Sequence, residues 1–174
     1  RVGDWRIYSQ TLRNVTTGGD AIVTYTGMYT DVQVSADVKF TSAAGIIAIC
    51  TRLGSFSGGI PGTGYAAELS NSGLVRLWRL DNWSVLGSYQ ISNYQPTQFT
   101  TLLLSANGNT LRVDVDGVTR ITATNSAFSS GAVGFWSFDA SAANQHVIDN
   151  FTLVELLQAT ATPTSTPTAS ATAT

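Results

Sequence analysis

The sequence predicts an all-β domain, a two-sheet sandwich or a barrel, followed by an extended tail. Helical periodicity is absent, and short alternating apolar runs repeat from end to end, joined by turn-forming residues. The closing stretch "ATATPTSTPTASATAT", residues 159–174, has no charge and almost no apolar surface to offset the entropy of ordering it, so it builds no core. The expected division is therefore a domain over residues 1–158, ample for one core, and a Thr/Ser/Pro-rich tail over residues 159–174.

Each strand has its own signal. "WRIYSQT" and "AIVTYT" open the chain. "DVQVSADVKF" sets Val32, Val34, Ala36, Val38 and Phe40 on one face against Asp31, Gln33, Ser35, Asp37 and Lys39, a strand with one wet side. "GIIAICTRL" is more continuously apolar and belongs near the middle of a sheet. It holds Cys50, the only cysteine, expected as a buried, inert thiol; no internal disulfide or multi-cysteine zinc site can form.

In "GYAAELSNSGLVRLWRL" a three-residue loop with Gly73 in the left-handed position pairs Glu68 with Arg76 and Ala66 with Trp78. Ala67 and Leu69 then meet Leu77 and Val75 on the opposite face. "WSVLGSY" follows. In "FTTLLLSANGNTLRVDV" an Asn107–Gly108 turn pairs Ala106 with Asn109, Leu104 with Leu111 and Leu102 with Val113. A second turn at Asp116–Gly117 leads into "VTRITAT", and "GAVGFWSF" and "HVIDNFTLVEL" close the domain.

Composition excludes some functions. Charged residues make up 11% of the chain and the net charge is −2, with Lys39 the only lysine. No basic patch exists to hold phosphates, so nucleic acid is not an expected partner. No apolar run approaches the length of a membrane span. The chain starts at Arg1 without an initiator Met, as a mature, processed protein would.

The tail has the composition of O-glycosylated extracellular stalks, with Thr160, Thr162, Thr164, Thr166 and Thr168 as acceptors; sequons at Asn14, Asn82 and Asn150 add weaker support. Pro163 and Pro167 share one parity and these threonines the other, so in an extended strand both missing donors fall on one edge. The threonine amides would be free to pair, and as polyproline II the same residues would stay solvated.

The order of these strands, the "GAVG" strand after "SS", the aromatic "FWSF" that follows and the closing "DNFTL" together resemble the concanavalin A-like lectin/glucanase superfamily, closest to its laminin-G-like and carbohydrate-binding modules. The resemblance spans residues 5–157. It implies a jelly roll of two curved antiparallel sheets with the first and last strands side by side. It also implies a structural calcium between those strands, for which Asp149 is the side chain to expect; Asp149 bonding neighbouring backbone is the alternative.

Glycosidases of that superfamily cluster acidic residues on one strand. This chain has two glutamates, Glu68 and Glu155, in different strands, and the Asp114/Asp116 pair flanks a turn. His146 is the only histidine and no Gly-x-Ser-x-Gly elbow accompanies it. No active site is legible.

Sugar binding needs only an aromatic platform and a few polar groups. Glu68, Arg76 and Trp78 on the non-core face, with Trp83 beside them, are the candidates, and Tyr65, Tyr94 and Trp136 could extend them. A purely structural role, rings capping the sandwich and an ordinary cross-strand ion pair, accounts for the same residues. The expected function is a non-catalytic, extracellular lectin-like building block of a surface assembly, contacting glycans and other copies of itself through the tail. The alternative is a carbohydrate-binding module tethered to a larger secreted protein, with the tail as linker.

Overall fold

The computed structural model describes residues 3–15, 19–41, 45–57, 60–138 and 146–157. The tail lies outside them, and with it the acceptor threonines Thr160, Thr162, Thr164, Thr166 and Thr168 and the self-association expected of it. The described residues form strands and turns only. No helix long and apolar enough to cross a membrane occurs among them.

The strands are β1 (Trp5–Tyr8), β2 (Thr11–Asn14), β3 (Asp20–Tyr29), β4 (Val32–Phe40), β5 (Ile46–Leu53), β6 (Phe56–Ser57), β7 (Ile60–Pro61) and β8 (Tyr65–Ser70), continuing as β9 (Leu74–Arg79), β10 (Ser84–Gln90), β11 (Thr100–Asn107), β12 (Thr110–Val115), β13 (Val118–Thr124), β14 (Gly131–Phe138) and β15 (His146–Glu155). They build a seven-stranded sheet, β1-β2-β15-β4-β11-β12-β13, and a six-stranded sheet, β10-β9-β8-β5-β14-β3; β6 and β7 form a small hairpin. Every pairing is antiparallel, and β2 lies beside β15, as the resemblance implies. β5, the continuously apolar strand, sits between β8 and β14 inside its sheet.

The wet-sided strand reads as its alternation requires: Val32, Val34, Ala36, Val38 and Phe40 are buried between the sheets, packed with Ala67, Leu69, Val75 and Leu77 from the other sheet. Where the two sheets approach at one flank, Gly87 of β10 lies against Ile121 of β13. A Cβ on Gly87 would meet Ile121 Cγ2 at 2.5 Å, so only glycine lets the flank close.

Two expectations need correction. "WRIYSQT" is two strands, because Ser9 and Gln10 take φ of 46° and 68° and turn the chain back into a β1–β2 hairpin. The β11–β12 register also differs: Leu104 faces Val113 rather than Leu111, a slip of two residues. Gly108 occupies the first loop position at φ 53°, where a type II′ turn requires glycine, and its N–H donates to Asp31 Oδ1 at 2.8 Å. An even slip keeps every side chain on its face, so the expected core survives. Asp116–Gly117 forms the second hairpin turn as expected, with Val115 opposite Val118.

Candidate carbohydrate-binding face

The β8–β9 hairpin has the expected register: Glu68 faces Arg76, Ala66 faces Trp78, and Gly73 closes the loop at φ 81°. Since Ala67 and Leu69 point into the inter-sheet core, Glu68, Arg76 and Trp78 lie on the outer face of the six-stranded sheet. There a second apolar cluster forms from Ile22, Ala48, Cys50, Ala66, Leu80 and Trp136, with Trp78 packed against it. Small residues alternate with large ones: Ala66 pairs with Trp78 and Ala48 with Trp136, so each ring has room to lie on the sheet. Cys50 is buried here, and burial pushes its thiol up, leaving it inert at neutral pH.

Glu68 is the polar anchor. Its Oε1 accepts from Arg76 Nε at 3.0 Å and from Arg76 Nη2, and its Oε2 accepts from Trp78 Nε1 at 2.8 Å. The carboxylate is thus fully engaged and locks both neighbours in place, with the Arg76 guanidinium stacked 4.8 Å from the Trp78 ring centre.

Trp83 completes the face. It ends the β9–β10 loop at φ 53°, where a bulky side chain is an outlier. Such a conformation costs roughly 1–3 kcal/mol. Two ring contacts offset it: edge-on to Trp78 at 6.0 Å and tilted against Trp136 at 5.5 Å, each worth about 0.5–1.5 kcal/mol. Trp136 is itself fixed by an indole hydrogen bond to Asp20 Oδ1 at 2.7 Å. The Trp83 ring remains 43% exposed. From the end of β9, Arg79 grips Asp81 of the same loop with two hydrogen bonds of 2.7 Å.

The structure therefore brings Glu68, Arg76, Trp78 and Trp83 together and adds Trp136. Tyr65 does not join them. It shares parity with Ala67, points into the core, and bonds Asn125 Oδ1 at 2.8 Å. Tyr94 packs against the same core, beside Gly73. Strand alternation from Glu68 already places Tyr65 on the wrong side; no local signal places Tyr94.

Asp149 stands opposite Asp37 where β15 crosses β4, just before the ladder shifts register. Asp149 Oδ1 accepts the Asn150 amide at 2.8 Å, Asn150 Nδ2 donates to Asp37 Oδ2 at 2.7 Å, and Thr101 donates to Asp37 Oδ1. Both Asp37 oxygens already hold donors, and among the described residues no three His, Cys, Asp or Glu gather as a metal site. The side chains here form a hydrogen-bonded network between paired strands, with Asp149 bonding the neighbouring backbone amide.

A buried polar chain links the two sheets: Asn14 Nδ2 donates to Ser137 Oγ at 3.0 Å, and Ser137 bonds His146 Nδ1. All three are buried, so this serine–histidine contact meets no substrate in the described structure, and Asn14 is not an exposed glycan acceptor.

No protein-family model matches the chain, and no curated protein matches it in sequence. Solved structures do match its fold. The carbohydrate-binding module CBM66 from Bacillus subtilis superposes with a TM-score of 0.73 at 21% identity, over 87% of this chain and 91% of that one. The VIP36 exoplasmic/lumenal domain, in a Ca2+/Man-bound form, gives 0.68 at 15% identity over 92% and 84%. A putative glycosyl hydrolase from Parabacteroides distasonis gives 0.65 at 9% identity over 87% and 83%. The chain has the two-sheet antiparallel jelly-roll fold of the lectin/glucanase type.

Proposed function

We propose that this chain is a non-catalytic carbohydrate-binding module, extracellular and tethered by its Thr/Pro-rich tail to a larger glycan-active protein. The observation that carries the reading is Trp83: a large ring held at positive φ, half out of water, on a shelf made by Trp78 and Trp136. Strained residues concentrate where ligands bind, and an exposed indole offers a flat apolar surface to a sugar ring. Arg76, a third exposed and held by Glu68, supplies donors for hydroxyls beside it. The Arg76 guanidinium of the face is neutralised by the Glu68 carboxylate, which suits an uncharged glycan.

Non-catalysis is supported by the state of Glu68, whose oxygens are both occupied, and by Glu155 lying in the other sheet, so no acid–nucleophile pair forms between them. The test is affinity electrophoresis of the full chain against a panel of neutral polysaccharides. Trp83→Ala should abolish retardation while changing stability by no more than about 1 kcal/mol. Retardation undiminished in the variant overturns the reading.

A further inference from the structure

The sandwich is closed at the Gly87–Ile121 flank and open at the other. There β3 ends the six-stranded sheet, and two adjoining cavities of about 150 and 270 Å³ open, the smaller lined from β2, β3, β14 and β15 and the larger from β1, β2, β14 and β15, sharing Leu12, Phe135 and Phe151. Neither includes a residue of the Trp83 face.

The two cavities differ in chemistry. The smaller is walled by carbon, chiefly Leu12, Val23, Phe135 and Phe151, and topped by Tyr25. An apolar cleft of about 150 Å³ lined by such residues has room for a benzene-sized ring. The rings at its mouth are in contact, Tyr25 with Phe151 at 6.0 Å and Phe151 with Phe135 at 5.4 Å, yet Tyr25 is 54% and Phe151 39% exposed. The larger cavity leads from these rings to a polar end formed by Gln10, Asp149 and Asn150.

Backbone geometry sets that end in place: Gln10 at φ 68° sits in the β1–β2 turn and Asn150 at φ 49° in the irregular stretch of β15. Asp149 is the one acidic residue lining either cavity and no basic residue lines them, so an anionic ligand would find no counter-charge there.

We infer that this flank is a second ligand site, independent of the Trp83 face, for an uncharged sugar bearing a phenyl-sized apolar group. The aryl group occupies the smaller cavity, and sugar hydroxyls bond Gln10, Asp149 and Asn150. The hydroxyls and carboxylate then satisfy one another at the rim while the ring leaves water.

The experiment titrates the full chain with phenyl glucoside, galactoside and mannoside, the matching methyl glycosides, and phenol, read by saturation-transfer NMR and calorimetry. At least one phenyl glycoside should bind tenfold or more tightly than both its methyl counterpart and phenol. Tyr25→Ala and Phe151→Ala should each weaken it at least tenfold, and Trp83→Ala should leave it unchanged. If Phe151→Ala does not fold, Tyr25→Ala, the more exposed ring, decides alone. Failure of every phenyl glycoside to bind, phenol binding as tightly, parental affinity in Tyr25→Ala, or loss in Trp83→Ala overturns the proposal. The Trp83 variant also separates this site from the polysaccharide face.

Discussion

Two arginine–carboxylate pairs in this fold are made of the same groups and do different things. Arg52 and Asp31 meet at 3.2 Å with side chains 1% and 4% exposed. The guanidinium also donates to the carbonyls of Thr30 at 2.9 Å and Phe128 at 2.8 Å, and Asp31 Oδ1 takes the Gly108 amide as well. One planar fork thereby ties β5 to the β3–β4 turn and the loop before β14, and the carboxylate brings in the β11–β12 turn. Glu68 is buried to a similar degree, at 3%, but its Arg76 is 33% exposed. The carboxylate is an internal anchor in both. The difference lies in the cation: Arg52 is wholly spent on Asp31 and two backbone carbonyls, whereas Arg76 keeps a face to water, above an indole, where a ligand can reach it.

If burial of the cation is what separates the pairs, their variants should rank accordingly. Arg52→Ala should have the largest effect, about 3–5 kcal/mol in urea unfolding, because it strands a buried carboxylate and two carbonyls at once. Arg52→Lys should recover little, since an ammonium cannot match the three-way fork. A loss under ~1 kcal/mol would erase the distinction between the pairs.

Glu68→Gln comes next, at roughly 1–3 kcal/mol. It weakens the bond to Arg76 and the one to Trp78, but Arg76 can still find water. Polysaccharide retardation should fall with it, because Arg76 and Trp78 lose their common anchor. A cost equal to that of Arg52→Ala would show that the carboxylate, and not the cation, sets the scale.

The smallest effect belongs to the surface pair. The Arg79 guanidinium hydrogen-bonded to Asp81 holds its carboxyl below the usual aspartate value. A depressed folded value means the contribution is present above the unfolded value, near ~3.9, and disappears as pH falls through the folded one. Asp81→Asn should therefore lower the melting temperature slightly at neutral pH and not at all at low pH, which flattens the acid side of its pH profile. A loss at neutral pH as large as that of Glu68→Gln would break the ranking by burial.

The same contrast marks what was legible in advance. Glu68 and Arg76 are eight residues apart, across one hairpin whose loop sets their register. The parity that buries Ala67 and Leu69 carries Glu68, Arg76 and Trp78 outward, so this part of the face could be read from turn chemistry and alternation. Trp136 on the same shelf comes from β14, and nothing in the local sequence shows that Trp83 reaches it. Arg52 was legible only as the polar end of an apolar strand. Its partners lie 21 and 76 residues away, at separations where no local rule operates. The β11–β12 register failed for a related reason, since the slipped turn places the Gly108 amide on Asp31, far away in the chain.

By itself the sequence determined the all-β class, the strand faces and the β8–β9 register, because alternation and turn residues act between neighbours. Only the tertiary structure decided which flank closes and which stays open, where Tyr94 packs relative to the indoles, and which arginine is buried. Those outcomes depend on the packing of one sheet on the other, which strand periodicity does not encode.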